Sequence, residues 1–321
     1  MGEFDLIERY FKRPARQADV GIGDDCAIWT PRAGHQLAIS TDMLVEGRHF
    51  LSTVAPERLG HKALAVNLSD LAACGASPKV FLLSLAMPRA DETWLAGFSR
   101  GLFALADAHG CELIGGDTTQ GPLSISITVM GEVPRAQAIL RSGAKAGDEL
   151  FVSGTLGDAR LALEAFRGQI SLPQAVWEAA RLRMETPTPR VALGQALRGV
   201  ATAMADISDG LLGDLGHILQ ASQVGANIDW PVSQGLLAAA ASWSCPEALA
   251  MTCVLTGGDD YELVFTAPAS ARSAVQDAAA TSGTAVTRIG QITAERQLTV
   301  QDAQGRAIPH SLRSFDHFSC R

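Results

Sequence analysis

Apolar positions along the chain follow two spacings, one typical of strands and one typical of helices. Residues 123–129 alternate aliphatic and hydroxyl side chains, which predicts a strand with one polar face, either at a sheet edge or at a subunit interface. Residues 80–87 are almost continuously apolar, which predicts a strand buried on both faces. Residues 94–108 return to helical spacing. The first half of the chain is therefore predicted to be mixed α/β.

One long helix is predicted between Pro56, which suits a first helical turn, and Gly75, which ends it. Leucines recur at helical spacing along it and alanines fill the gaps, so Asp70 stands out as a carboxylate in an apolar setting. A buried carboxylate without a partner costs several kcal/mol. Asp70 must therefore be hydrogen-bonded as an ordinary structural acid, bind a cation, or reach water.

A polar, glycine-bearing stretch near residues 134–148 predicts a boundary between domains at residues 1–136 and 137–321. Beyond it, helical and strand-like patterns alternate, which predicts a second α/β layer. The predicted helices span residues 157–168, 174–184, 190–198, 209–222 and 269–282, and the predicted strands span residues 202–206, 226–230, 262–267 and 285–292.

Acidic residues recur beside glycine, serine or threonine at the predicted ends of apolar runs. Besides Asp70, the clusters are Gly23-Asp24-Asp25, Ser40-Thr41-Asp42, Gly115-Gly116-Asp117-Thr118-Thr119, Asp206-Ile207-Ser208-Asp209-Gly210 and Gly257-Gly258-Asp259-Asp260. The first lies in a glycine-rich turn that is predicted to enter a strand over residues 20–29. In the turn after Asp206, either Ser208 or Asp209 caps the following helix, or the free helix N-terminus meets phosphate.

Charge and cysteine content indicate which partners and which cellular compartment the protein is expected to have. The chain has 26 basic and 34 acidic residues, a net charge of -8, which argues against nucleic acid or an anionic membrane as a partner. Its six cysteines include no C-x-x-C pair and mostly lie inside apolar runs, which favours reduced, buried thiols and a cytoplasmic protein. No signal-peptide pattern and no apolar run of about 20 residues is found, so we expect neither export nor a membrane span.

The acidic clusters together indicate a divalent-cation site. Gathered carboxylates repel a phosphate unless cations accompany it, and Mg²⁺ held by carboxylates and substrate phosphates is usual at nucleotide triphosphates. Phosphoryl transfer is therefore the leading reaction class. The chain contains no G-x-x-x-x-G-K-[ST] loop, G-x-S-x-G elbow, H-E-x-x-H motif or kinase-type H-R-D loop. An acceptor that needs no base, such as an ionised phosphate, fits this absence.

Seven motifs occur in order: GIGDDCA, ISTDMLVEGRHF, NLSDLAACGA, IGGDTT, RSGAKAGD, DISDGL and GGDDYEL. In this order and spacing the chain resembles the thiamine-monophosphate kinase family of the aminoimidazole ribonucleotide synthetase-like ATP-binding superfamily. The resemblance implies ATP-dependent phosphorylation of thiamine monophosphate to thiamine diphosphate, the final step in making that cofactor. It also implies a two-domain α/β (α+β) fold, in which an N-terminal mixed sheet binds ATP and Mg²⁺ and pairs in a homodimer. A C-terminal α/β sandwich domain would close the active-site cleft.

The resemblance also implies residue roles. Metal ligands, to several Mg²⁺ ions and directly or through water, would be Asp25, Ser40, Thr41, Asp42, Asp70, Asp117, Asp206 and Asp209. ATP would meet Gly116, Asp117, Arg141 and Ser208, with Arg141 and the metals neutralising phosphate charge and no side chain acting as general base. Thiamine monophosphate would meet His49, Asp259 and Phe315. Asp259 departs from the family pattern, which usually has Glu there, and a monovalent cation requirement is left open.

The sequence leaves three alternatives to compare. Selenophosphate synthetase would want a reactive Cys and Lys in an N-terminal loop, and nothing before Asp24 provides that pair. Hydrogenase-maturation members resemble chains that end in Cys, whereas Cys320 is followed by Arg321. A regulator that binds Mg-ATP without turning it over is the third alternative, and the intact acceptor side, His49 and Phe315, argues against it.

Overall fold

A computed structural model describes residues 2–309 and shows two compact units. Within the described chain, unit 1 comprises residues 2–71 and 76–136, and unit 2 comprises residues 72–75 and 137–309. The elements of unit 1 are α1 (Glu3–Tyr10), β1 (His35–Val45), α2 (Pro56–Ala73), β2 (Ser77–Met87), α3 (Glu92–Ala108), β3 (Glu112–Gln120) and β4 (Ser124–Pro134).

The four strands of unit 1 form one mixed sheet in the order β1-β4-β2-β3. Strand β4 is antiparallel to both of its neighbours, and β2 and β3 are parallel. The predicted alternation in β4 is confirmed, since Ile125, Ile127 and Val129 are buried while the hydroxyl residues between them are half-buried. The sheet-edge interpretation is wrong, because β4 has a hydrogen-bonded strand on each side.

One face of this sheet packs against helix α2, and the other is open. Strand β1 shows the difference most clearly, because its side chains alternate between the two faces. Leu44 is buried, whereas Leu37, Ile39 and Met43 are 45%, 61% and 58% exposed. We call the face that carries these three residues the open face.

Unit 2 is built on a six-stranded mixed sheet in the order β10-β7-β9-β5-β8-β6. Its elements are β5 (Glu149–Ser153), α4 (Asp158–Phe166), α5 (Gln174–Glu185), α6 (Val191–Ala196), β6 (Ala203–Asp206), α7 (Leu211–Ser222), β7 (Gly225–Asp229), α8 (Trp230–Ser233), α9 (Glu247–Thr256), β8 (Leu263–Ala267), α10 (Arg272–Ser282), β9 (Val286–Thr293) and β10 (Leu298–Gln301). Within residues 2–309, no helix has both the length and the apolar character needed to cross a membrane.

Four predictions about local structure need correction. Strand β2 is not buried on both faces, because Ser84 on the open face is exposed while Leu82 and Ala86 are only half-buried. Residues 20–29 form no extended strand but a turn closed by one antiparallel bridge between Val20 and Ile28. The pattern analysis missed α9, whose apolar residues are not gathered on one face, and the four-residue strand β10. The five cysteines within residues 2–309 are free thiols, and Cys111 and Cys253 are buried as predicted, but Cys26 is exposed.

Candidate functional site

The acidic residues of unit 1 first come together between strand β1 and helix α2. Because side chains alternate along β1, Ser40 and Asp42 face the helix. Ser40 Oγ donates a hydrogen bond to Asp70 Oδ2 at 2.5 Å, and the Asp42 N–H donates to Asn67 Oδ1 at 3.1 Å. Asn67 and Asp70 lie three residues apart on α2 and so share a helix face. The half-buried Asp70 is therefore hydrogen-bonded, as its sequence setting requires.

The Thr41 hydroxyl lies on the opposite, open face of the sheet. It donates to the Ile127 carbonyl at 3.1 Å and accepts from Thr128 Oγ1 at 3.0 Å. The structure thus separates the Thr41 side chain from Ser40, although the two residues are adjacent in sequence.

Asp117 also belongs to the open face. The strand register places four residues in one row across the sheet: Asp117 of β3, Ser84 of β2, Ser126 of β4 and Met43 of β1. Side chains in such a row point to the same face, and three strand spacings amount to about 14 Å. Within unit 1 the structure therefore does not bring the exposed Asp117 carboxylate beside Asp42 and Asp70.

Gly116 precedes Asp117 in a conformation that excludes a side chain. Its φ is +147°, and a Cβ built on it would lie 1.8 Å from the Leu83 carbonyl oxygen. Both observations require glycine at this position. The close approach of the two backbones is what the Gly-Gly pair in this motif provides.

Asp25 and His49 lie in turns of unit 1. The Asp25 N–H donates to Asp24 Oδ1 at 2.8 Å, and this bond stabilises the turn. Asp25 itself is exposed. His49 Nδ1 accepts from the Val45 N–H at 3.0 Å. A neutral His49 ring must therefore carry its proton on Nε2, which makes that nitrogen a donor.

In unit 2, strand β6 ends at Asp206 and helix α7 begins at Leu211, with the predicted site residues Ser208 and Asp209 between them. The helix N-cap is Gly210, which has no side chain to accept a capping hydrogen bond. The interpretation of Ser208 or Asp209 as the cap is therefore wrong. Instead, Asp214 Oδ2 in the first turn of α7 accepts the N–H groups of both residues, at 3.0 and 3.1 Å.

Asp214 is buried, and burial raises its pKa to about 7. The nearby Asp209 carboxylate adds to this rise, while the two backbone N–H donors and the Arg141 guanidinium oppose it. Because Arg141 lowers the pKa of Asp214, its charge must lie close enough to interact electrostatically with this turn. Asp214 therefore links the predicted metal-binding and nucleotide-binding residues of unit 2.

The Arg141 segment is fastened to the other end of the same helix. Ser222 Oγ, at the end of α7, accepts the N–H groups of Gly143 and Ala144, both at 3.1 Å, and donates to the Arg141 carbonyl at 3.2 Å. Helix α7 thus holds the Ser208 turn near its start and the Arg141 segment at its end.

The Asp259 loop packs directly on the Ser208 turn. The Asp259 N–H donates to the Ser208 carbonyl and the Tyr261 N–H to the Ile207 carbonyl, both at 2.9 Å. The Tyr261 hydroxyl donates to Asp259 Oδ1 at 3.2 Å. The structure therefore brings the predicted nucleotide-side residue Ser208 and the predicted acceptor-side residue Asp259 together.

The sequence analysis missed Asp214 and Ser222, which hold predicted site residues without being among them. An acid in the first turn of a helix that follows a predicted site loop was a usable signal for Asp214. Within residues 2–309, no three His, Cys, Asp or Glu side chains form a preassembled metal cluster. The predicted acceptor-side residue Phe315 lies outside the described residues.

Comparison with known proteins covers both units. Residues 23–133 match the family described as AIR synthase related protein, N-terminal domain, and residues 145–303 match its C-terminal domain. A thiamine-monophosphate kinase of Salmonella typhimurium is 43% identical over 326 residues, which cover 99% of this chain and 98% of that protein.

Solved structures agree with these matches. A crystal structure of thiamine-monophosphate kinase from Stenotrophomonas maltophilia K279a has a TM-score of 0.84 and 44% identity, and covers 95% of this chain and 96% of that chain. The structure of AaThiL complexed with AMPPCP and TMP has a TM-score of 0.76 and 29% identity, over 99% and 97% of the two chains. These matches confirm the predicted two-domain mixed α/β fold class.

Proposed function

Because the chain belongs to the thiamine-monophosphate kinase family, we propose that it transfers the γ-phosphate of ATP to thiamine monophosphate, giving thiamine diphosphate and ADP, the final step in making that cofactor. The observation that carries this proposal is the 43% identity to a kinase of this name over 99% of the chain. The structure of a relative with AMPPCP and TMP supports the choice of both substrates.

Four residues are proposed to meet ATP. Gly116 and Asp117 are both exposed, and Asp117 adds a carboxylate beside the Gly116 backbone. Arg141 supplies a fixed fork of N–H donors for phosphate oxygens. The Ser208 N–H donates to Asp214 Oδ2 at 3.0 Å. Because this bond uses the backbone of Ser208, its hydroxyl can bind the nucleotide. This arrangement positions phosphates rather than activating a nucleophile.

The predicted metal ligands, Asp25, Ser40, Thr41, Asp42, Asp70, Asp117, Asp206 and Asp209, are all oxygen donors, which suits Mg²⁺. The 2.5 Å contact between Ser40 Oγ and Asp70 Oδ2 supports this fit, since two such oxygens already converge there. When bound, Mg²⁺ neutralises phosphate charge and orients the oxygens for in-line displacement. The open-face position of the Thr41 hydroxyl makes its side chain the weakest member of the set.

The acceptor side is proposed to consist of His49, Asp259 and Phe315. His49 Nε2 donates to the acceptor phosphate, since Nδ1 is engaged by the Val45 N–H at 3.0 Å. The Asp259 carboxylate faces the cationic part of thiamine, and Phe315 stacks on an aromatic ring.

No residue is needed as a general base, because a phosphate with a second pKa of about 6 is largely ionised at pH 7. Its oxygen forms a bond to the γ-phosphorus, and the bond from that phosphorus to the oxygen bridging the β-phosphate breaks. ADP leaves, and Arg141 stabilises the charge on the transferring group. The enzyme is thus a phosphotransferase with a phosphate acceptor.

We further propose that the open face of unit 1 pairs with a second copy in a homodimer. An exposed apolar surface that includes Leu37, Ile39 and Met43 is typical of an interface. Because Asp117 belongs to the same face, pairing would place it at or beside the interface. We also propose a cytoplasmic location, which the free thiols of residues 2–309 support.

The test is incubation of the purified protein with Mg-ATP and thiamine monophosphate, followed by chromatographic detection of thiamine diphosphate and ADP. We expect both products in equal amounts, and no transfer to unphosphorylated thiamine, which lacks the ionised acceptor. ADP release that does not depend on thiamine monophosphate, or binding of Mg-ATP without any turnover, would overturn the proposal and favour a different superfamily member or a regulator.

A further inference from the structure

A buried ionic cluster lies beneath the Asp259 loop, with Glu262 at its centre. The Glu262 side chain is fully buried. Oε1 accepts from Arg183 Nη2 at 2.9 Å and from Arg190 Nη2 at 2.5 Å. Oε2 accepts from Ser153 Oγ at 2.5 Å and from Arg190 Nε at 2.6 Å. Every carboxylate oxygen of Glu262 is therefore paired by at least one charged donor.

The loop that ends at Glu262 is conformationally strained. Asp259 and Tyr261 have φ values of 68° and 51°, in the left-handed region that residues other than glycine rarely adopt. Such conformations persist only where the surrounding structure enforces them, and they concentrate at functional sites. Both Asp260 carboxylate oxygens accept the Gly157 N–H at 3.0 Å, which holds the middle of the loop.

The cluster connects this loop to two helices. Arg183 lies in α5, and Arg190 immediately precedes α6. A buried ion pair seldom stabilises a fold more than apolar residues of the same volume would, but it can specify one conformation. The two-point contact of Arg190 with Glu262 also fixes orientation, which a single hydrogen bond does not.

We propose that Glu262, held by Arg183 and Arg190, is a positioning residue that keeps the Asp259 loop in its strained conformation and so aims the Asp259 carboxylate at the thiamine moiety. This inference rests on the proposed function. Glu262 acts through the loop backbone, and it touches neither substrate. Loosening the cluster should therefore weaken thiamine monophosphate binding more than ATP binding.

Unit 2 contains a matched control, Glu149. This glutamate is also buried and also accepts hydrogen bonds from two arginines, Arg272 and Arg288. It starts strand β5, whereas Ser153, the partner of Glu262, ends that strand. Each cluster pairs one buried glutamate with two arginines, and Arg288 also pairs with Asp229, but only the Glu262 cluster is next to the Asp259 loop.

The experiment compares Glu262→Gln with Glu149→Gln in steady-state assays and in equilibrium dialysis with thiamine monophosphate. We expect Glu262→Gln to raise the KM and Kd for thiamine monophosphate roughly tenfold and the KM for ATP less than about threefold, as loss of an oriented charged contact would. Glu149→Gln should leave all three constants near wild type.

Arg190→Lys, with Arg272→Lys as its control, decides the question if Glu262→Gln does not fold. It keeps the charge but loses the two-point contact, and we expect the same selective rise in KM. The inference would be overturned if the variants of the Glu262 cluster raised the KM for ATP as much as the KM for thiamine monophosphate. It would also be overturned if the variants of the Glu149 cluster had the same effect. Either result leaves the proposed function intact as long as the wild-type enzyme turns over thiamine monophosphate. A wild-type enzyme without thiamine monophosphate turnover would overturn the proposed function and this inference with it.

Discussion

Substitution of Asp70 by asparagine separates the structural role of this carboxylate from its proposed metal-binding role. One part of its structural role is the 2.5 Å hydrogen bond from Ser40 Oγ, which stays possible but becomes neutral in Asp70→Asn. The difference between a charge-assisted and a neutral hydrogen bond is about 1 kcal/mol. For a chain of this size, the change in this hydrogen bond alone lowers the melting temperature by about 2 °C.

The proposed metal-binding role predicts a much larger effect on turnover. A carboxylate and a cation 4 Å apart interact by about 4 kcal/mol at an effective dielectric constant near 20. That energy corresponds to about a thousandfold in rate. We therefore expect kcat/KM to fall by about three orders of magnitude while the fold persists. Turnover is measured by thiamine diphosphate formation at saturating Mg²⁺, and stability by thermal unfolding.

Asp91→Asn is the matched control. Asp91 Oδ1 accepts the Thr93 and Trp94 N–H groups, both at 3.0 Å, as the N-cap of α3. Asparagine can still accept both hydrogen bonds, but it loses the favourable interaction of the charge with the helix dipole, so we expect a cost of about 0.5 kcal/mol of stability with turnover unchanged. The reasoning about Asp70 would be refuted if Asp70→Asn kept more than about a tenth of wild-type kcat/KM, or lost activity only in proportion to unfolding.

Three further predictions concern other residues. Gly116→Ala should raise the KM for ATP about tenfold or more, because its Cβ would lie 1.8 Å from the Leu83 carbonyl oxygen; normal ATP kinetics would contradict this. Asp259→Asn should raise the KM for thiamine monophosphate about tenfold and leave that for ATP unchanged, and equal changes in both would argue against its assignment. The hydrogen bond from Arg272 lowers the pKa of Glu149, so the stability it contributes is present above the unfolded-state pKa and is lost as pH falls through the folded one. Glu149→Gln should therefore be less stable than wild type at pH 7 in urea titrations, and the difference should shrink below about pH 4; a constant difference would show that charge is not the cause.

The elements that were predicted from sequence are those with a strong internal period or clear end signals. The hydroxyl and aliphatic alternation of β4 and the Pro56 start of α2 are local properties, and both occur in the structure. Helix α9 lacks an apolar stripe because it is apolar on all sides, so its burial could not be inferred from spacing.

The grouping of site residues depended on information that is not local. The motif order pointed to Ser40, Asp70, Ser208 and Asp259, and strand register and helix packing decide which of these meet. Asp117 is separated from strand β1, which carries Asp42, by about three strand spacings, or roughly 14 Å. This separation follows from the β1-β4-β2-β3 order, which no single segment encodes. Glu262 lies inside the GGDDYEL motif, but its pairing with Arg190, 72 residues away, likewise could not be inferred from the motifs.

Helix α7 sets the distance between the Ser208 turn and the Arg141 segment, and this restricts insertions and deletions within the helix. Asp214 and Ser222 sit eight positions apart, about 12 Å along the axis, and fasten two polar segments at that separation. An insertion of one residue between them would displace the far segment by about 1.5 Å and rotate it by about 100°. The number of residues between Asp214 and Ser222 should therefore stay fixed among relatives, even where the sequence of this helix differs.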